Sequence, residues 1–217
     1  MNESKNPQQV QNLEQELANS LTHGIGILFG VVAISLMVTF AVLYGGAIDI
    51  FAVSLFGGSL LLLYTFSTLY HAIQHQKTKE LLRIFDHISI YFLIAGTYTP
   101  FLLIGLKGTL GWVMFGLVWL IANAGMFFKV FYKARFPKLS LILYLGMGWI
   151  AVFVGKPIFN AIDMSVLSLV IGGGVFYTLG TVFYINKKLK YAHAIWHLFV
   201  LAGTVTHFIG VMILIQK

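Results

Sequence analysis

The chain has no cysteine. That excludes a disulfide framework, a thiol nucleophile and any zinc site built on thiolates. A metal site here must be made of His, Asp and Glu. Charge is also scarce. Asp, Glu, Lys and Arg make up 10% of the 217 residues, against roughly 25% in a soluble domain. Hydrophobic residues make up 59%, and the mean hydropathy is +0.87. These absences exclude a soluble protein and indicate a multi-pass membrane protein of one domain. The net charge of +7 rests on 14 basic and 7 acidic residues. No run of the basic residues resembles a nucleic-acid-binding motif, so nucleic acid is not an expected partner. Basic cytoplasmic loops account for the charge.

What is present is a succession of apolar runs. A bilayer core takes about 20 apolar residues per helix. Seven runs meet that length, at about 24–44, 50–72, 86–106, 109–131, 139–157, 164–185 and 191–215. The expected fold is therefore an all-α integral membrane protein, a seven-transmembrane helix bundle in the cell membrane. Pro100, inside "GTYTPF", predicts a kink in the third span. Only Lys107 and Gly108 separate spans three and four, which predicts an antiparallel hairpin.

Basic residues set the orientation. Eleven of the 14 fall in the N-terminal tail and the loops after spans two, four and six: Lys5; Lys77, Lys79 and Arg83; Lys129, Lys133, Arg135 and Lys138; Lys187, Lys188 and Lys190. Lys107, Lys156 and Lys217 fall on the other side. The positive-inside rule then predicts a cytoplasmic N-terminus and an outside C-terminus. Residues 1–20 form a polar cytoplasmic segment, and no cleaved signal peptide is expected there. Val10, Leu13 and Leu17 have the spacing of a short amphipathic helix on the inner surface. Residues 21–217 form the membrane domain.

Ionisable residues inside a membrane are candidates for function. His71 ends span two. Asp86 and His87 begin span three. His193 and His197, in "HAIWH", begin span seven. On this topology His71, Asp86, His193 and His197 share one depth near the cytoplasmic face. His193 and His197 are four apart, so both project from one helix face. Ser67 lies one turn from His71 in "STLYH". Three histidines are an allowed zinc set that leaves a fourth position for water, with a carboxylate beside it. Zinc lowers the pKa of water to about 7. Two other readings stay open at this point: histidines that only hydrogen-bond between helices, and a proton relay. His207 lies about 15 Å further along its helix and cannot join the cluster. It either satisfies a core hydrogen bond or lines a cavity. His75 is expected to be solvated. His87 is rotated about 100° from Asp86. Glu16, Asn19 and His23 fall on one face at the start of span one. They are read as a supporting cluster or a helix-entry cap.

"ELANSLTHGIG", "STLYH", "YHAIQH", "FDHISIYFLIAGTYTP" and "HAIWHLFVLAGTVTHF" resemble the progestin and adipoQ receptor family, most closely its bacterial hemolysin III branch. The resemblance covers essentially the whole chain. It implies a seven-helix bundle with an intramembrane zinc near the cytoplasmic face. His71, His193 and His197 match the zinc ligands. Asp86 matches the carboxylate that contacts the water at the metal, and Ser67 the serine beside it. The wider superfamily includes alkaline ceramidases. This implies a zinc-dependent hydrolase of a lipid amide or ester, with a role in membrane lipid homeostasis and a membrane lipid as substrate. The alternatives are a membrane-lytic, pore-forming haemolysin active in cytolysis, or a non-enzymatic membrane sensor with structural zinc. A further, metal-free reading has Ser67 as nucleophile, a histidine as base and Asp86 as the group that orients it.

Overall fold

The computed structural model describes residues 7–132, 136–186 and 188–216. Among them every regular element is a helix. In chain order these are α1 (Pro7–Tyr44), α2 (Ala47–Ala72), α3 (Gln76–Pro100), a π-helical turn (Phe101–Leu106), α4 (Gly108–Tyr132), α5 (Pro137–Gly148), α6 (Ile150–Val154), α7 (Lys156–Ala161), α8 (Met164–Ile185) and α9 (Ala192–Ile215). Six helices are long and apolar enough to cross a membrane. Lys5, Lys133, Arg135, Lys187 and Lys217 lie outside the described residues, as does the Val10 side chain.

Packing follows the chain. α1 lies on α2, α2 on α3 and α3 on α4, while α8 pairs with α9 and α1 closes against α9. α3 is the most enclosed span, as its row of small and hydroxylated residues from Ala95 to Thr99 allows. Gly26 admits the ring of Tyr64, and a Cβ at Gly173 would meet the His207 ring. Helices come close where a side chain is absent. α1 is continuous, so no break divides its first residues from the span that follows.

Two of the expected helices are modified. At Pro100 the missing N–H interrupts the α-ladder, and the chain widens into a π-helical turn that closes with Lys107 N–H donating to Leu102 C=O at 3.1 Å. The Lys107–Gly108 turn after it has positive φ at both residues, 53° and 62°. The fifth run, 139–157, is not one helix. It breaks at Trp149 and again at Gly155, where φ is 57°. The Tyr98 hydroxyl bridges the first break. It donates to Gly148 C=O at 2.6 Å and accepts from Ala151 N–H at 3.1 Å. Trp149 Nε1–H donates to Thr178 Oγ1 at 3.1 Å. Irregular backbone at membrane depth persists only where such partners satisfy it.

Candidate metal centre

His71 lies in the last turn of α2, and His193 and His197 in the first two turns of α9. Because α1 packs on both helices, these ends meet. One ring nitrogen from each histidine falls within 4.8 Å of the other two. Ring centroids are 5.0 Å apart for His71 and His193, 5.3 Å for His71 and His197, and 4.5 Å for His193 and His197. His71 and His197 are buried, at 4% and 0% exposure.

Hydrogen bonds fix which nitrogen is free on His71 and His197. His71 Nδ1 lies 2.6 Å from Glu16 Oε2. A carboxylate only accepts, so Nδ1 carries the proton and Nε2 the lone pair. His197 Nδ1 donates to the Asn19 carbonyl at 3.1 Å, with Thr22 Oγ1 also at 3.1 Å. The Nε2 atoms of His71, His193 and His197 are all buried without a hydrogen-bond partner among the described residues. A buried polar atom without a partner is costly. Three such atoms on one cluster fit a cation better than they fit a structural network. Nδ1 bonded to a carboxylate or carbonyl, with Nε2 free, is also the usual arrangement behind a metal-ligating imidazole. This buried trio can hold a metal ion.

Asp86 is buried at 7% exposure near the middle of α3, within electrostatic reach of His71. Ser67 is 1% exposed and sits near the Asp86 carboxyl, without a hydrogen bond of standard geometry. His207 stays apart, with Nε2–H donating to Val170 C=O at 2.9 Å, while its ring also lines a cavity. His75 is exposed at the N-cap position of α3, with Nδ1 2.9 Å from Thr78 Oγ1 and no capping bond to the backbone.

The face of α1 carries more than its sequence declared. Glu16 and Asn19 bond the histidines directly, and Lys79 pairs with Glu16 at 3.2 Å. Thr22 was not legible as part of the site. His23 is 1% exposed and stacks on His197 with ring centroids 3.5 Å apart. Lys190, in the loop before α9, donates to Glu14 at 2.7 Å, and this carboxylate partner raises the lysine pKa.

A cavity of about 210 Å3 begins beside this cluster. His23, Trp196 and Tyr184 stand at that end, and Phe101, Ile162 and Leu167 wall it further along. The lining is mostly apolar.

Fold and centre together define a multi-pass, all-helical membrane protein with a buried histidine trio at one end of its bundle. The chain belongs to the Haemolysin-III related family, whose model matches residues 11–208. It is 48% identical over 200 residues to Hemolysin-3 homolog of Bacillus subtilis (strain 168), covering 92% of this chain and 94% of that one. It is 43% identical over 202 residues to Hemolysin-3 of Bacillus cereus, covering 93% and 92%. It is 30% identical over 163 residues to the human Monocyte to macrophage differentiation factor, covering 72% and 67%.

Proposed function

We propose that this chain is a zinc-dependent hydrolase that cleaves an amide or ester bond of a membrane lipid near the cytoplasmic face, with a ceramidase-like role in membrane lipid homeostasis. The observation that carries this reading is the set of three partnerless Nε2 atoms next to a buried carboxylate. The apolar cavity beside them supports a lipid as substrate. In this reading the bundle has seven spans, with α5 and α6 as a broken fifth. The N-terminus is cytoplasmic, as the excess of basic residues at that end supports.

Bound at His71, His193 and His197, zinc would polarise the carbonyl and acidify the attacking water. The chain's own residues do the rest. Asp86 accepts a proton from the water as its oxygen adds to the carbonyl carbon, and returns it to the leaving amine or alcohol as that bond breaks. Ser67 Oγ–H hydrogen-bonds the water or the oxyanion. Glu16 and Asn19 hold the His71 and His197 rings. The mostly apolar cavity walls run against the aqueous pore of the haemolysin reading.

The test is fatty-acid release from ceramide and from other N-acyl and O-acyl lipids by the purified protein in vesicles. Wild type should release fatty acid. His197→Ala should lose activity and metal, whereas Asp86→Asn should lose activity and keep the metal. Metal binding with no hydrolysis of any lipid would make the zinc a clamp between α2 and α9. Hydrolysis that survives a chelator and fails in Ser67→Ala would instead favour the serine nucleophile.

A further inference from the structure

The apolar cavity that begins beside the histidine trio carries a polar belt partway along it. Thr97 of α3, Tyr177 of α8 and His207 of α9 all line the cavity. Thr97 and His207 are 8% and 5% exposed. Thr97 Oγ1, the Tyr177 hydroxyl and His207 Nδ1 are buried without a hydrogen-bond partner among the described residues. Neighbouring hydroxyls differ. Thr99 donates to Ala95 C=O at 2.8 Å, and Thr178, also on the cavity wall, to Gly174 C=O at 2.8 Å, the local bond by which a helix satisfies a threonine. The belt residues lie close together. The Tyr177 and His207 ring centroids are 5.5 Å apart, and His207 is 6.1 Å from Phe101, one turn beyond Thr97. Packing holds both polar rings. A Cβ at Gly173 would meet the His207 ring, and one at Gly203 the Tyr177 ring, so α8 and α9 clasp them between close backbones. His207 Nε2–H donates to Val170 C=O at 2.9 Å, so in the neutral ring Nδ1 is an acceptor. The belt thus combines one fixed acceptor with two hydroxyls that can donate. That set is complementary to a single O–H group.

We infer that the belt is a subsite for a hydroxyl group carried partway along the hydrocarbon chain of a lipid. The ligand hydroxyl donates to His207 Nδ1 and accepts from Tyr177 or Thr97. Apolar walls continue on both sides, with Leu93 and Val200 between the trio and the belt and Ile162 and Leu167 beyond it, and they suit the hydrocarbon on either side of that group. His207 lies about 15 Å along α9 from His197. A zigzag of carbon–carbon bonds, each about 1.5 Å, advances about 1.3 Å per carbon. A chain with its carbonyl end at the trio therefore brings roughly its twelfth carbon to the belt. Read with the proposed hydrolase, on which this meaning rests, the belt selects lipids with a hydroxylated acyl chain. The binding itself needs no turnover.

The test measures binding of three fatty acids of one length to the purified full chain in neutral detergent: octadecanoic acid, 12-hydroxyoctadecanoic acid and 12-oxooctadecanoic acid. They share the carboxylate and contain no amide or ester to cleave, so the result is independent of hydrolysis. Wild type should bind the hydroxy acid about tenfold more tightly than octadecanoic acid, the scale of two net hydrogen bonds. The keto acid has no proton for His207 Nδ1 and should bind severalfold more weakly than the hydroxy acid. Tyr177→Phe and His207→Phe keep an aromatic ring, and each should remove most of the preference with metal content unchanged. His207→Phe also strands the Val170 carbonyl. If it does not fold, Tyr177→Phe and the keto acid carry the test. Equal affinity for the hydroxy acid and octadecanoic acid in wild type would leave the belt to water and overturn the inference. So would a keto acid bound as tightly as the hydroxy acid, a preference intact in Tyr177→Phe, or no binding of any of the three acids.

Discussion

Glu16 on α1 and His71 on α2, 55 residues apart in sequence, meet with Oε2 2.6 Å from Nδ1. Lys79 holds the other carboxylate oxygen at 3.2 Å. This contact sets the tautomer of His71 and turns Nε2 toward the other two histidines. Glu16→Ala should therefore weaken metal binding about 10–100-fold, the usual scale for a group that orients a metal ligand. Glu16→Gln, whose side-chain oxygen still accepts the Nδ1 proton, should be milder. Competition against a calibrated zinc chelator reads both, and unchanged affinity in Glu16→Ala would remove Glu16 from the site.

The stack of His23 on His197 makes His23 look like a fourth ligand. Its two ring nitrogens are buried without partners, but it is not part of the converging trio. His23→Phe keeps the stack and removes both polar atoms. Zinc stoichiometry should be unchanged in this variant. Loss of the metal would move His23 into the coordination sphere.

Tyr98→Phe removes one oxygen and strands two backbone groups, Gly148 C=O and Ala151 N–H. Each costs about 1–3 kcal/mol when left unsatisfied in a buried setting. The variant should lower the thermal midpoint of the detergent-solubilised protein, with faster proteolysis near Trp149. A midpoint equal to wild type would mean that the break finds other partners.

At Gly173 a Cβ would fall on the His207 ring, which is itself tied to Val170. Gly173→Ala should separate α8 from α9 and destabilise the fold by about 1–3 kcal/mol. The combination Gly173→Ala with His207→Ala should recover part of that loss. No recovery would show that the clash lies elsewhere.

The long apolar runs were plain in the sequence because lipid demands them over whole windows. The histidine trio was also legible. An i, i+4 pair on α9 and a lone histidine on α2 reach one end of the bundle once the spans alternate in direction. The broken fifth segment was not legible. A hydropathy window averages over Gly148 to Ala151, and the hydroxyl that stabilises the break comes from Tyr98 on another helix. Lys129 misled in a similar way. As a residue in a list it counts as one more cytoplasmic cation, yet its burial under Tyr144 makes it part of the interior. The resemblance indicated Ser67 and Asp86, and both are buried near His71. The grip of α1 on two of the histidines appears only once α1 is packed between α2 and α9.

The central claim is that His71, His193 and His197 together bind zinc, and metal analysis of the purified chain tests it most directly. The account predicts one zinc per chain in wild type and none in His71→Ala, His193→Ala or His197→Ala, with each variant still folded. A folded wild type that takes up no zinc, or a His197→Ala variant that retains a full equivalent, would contradict it.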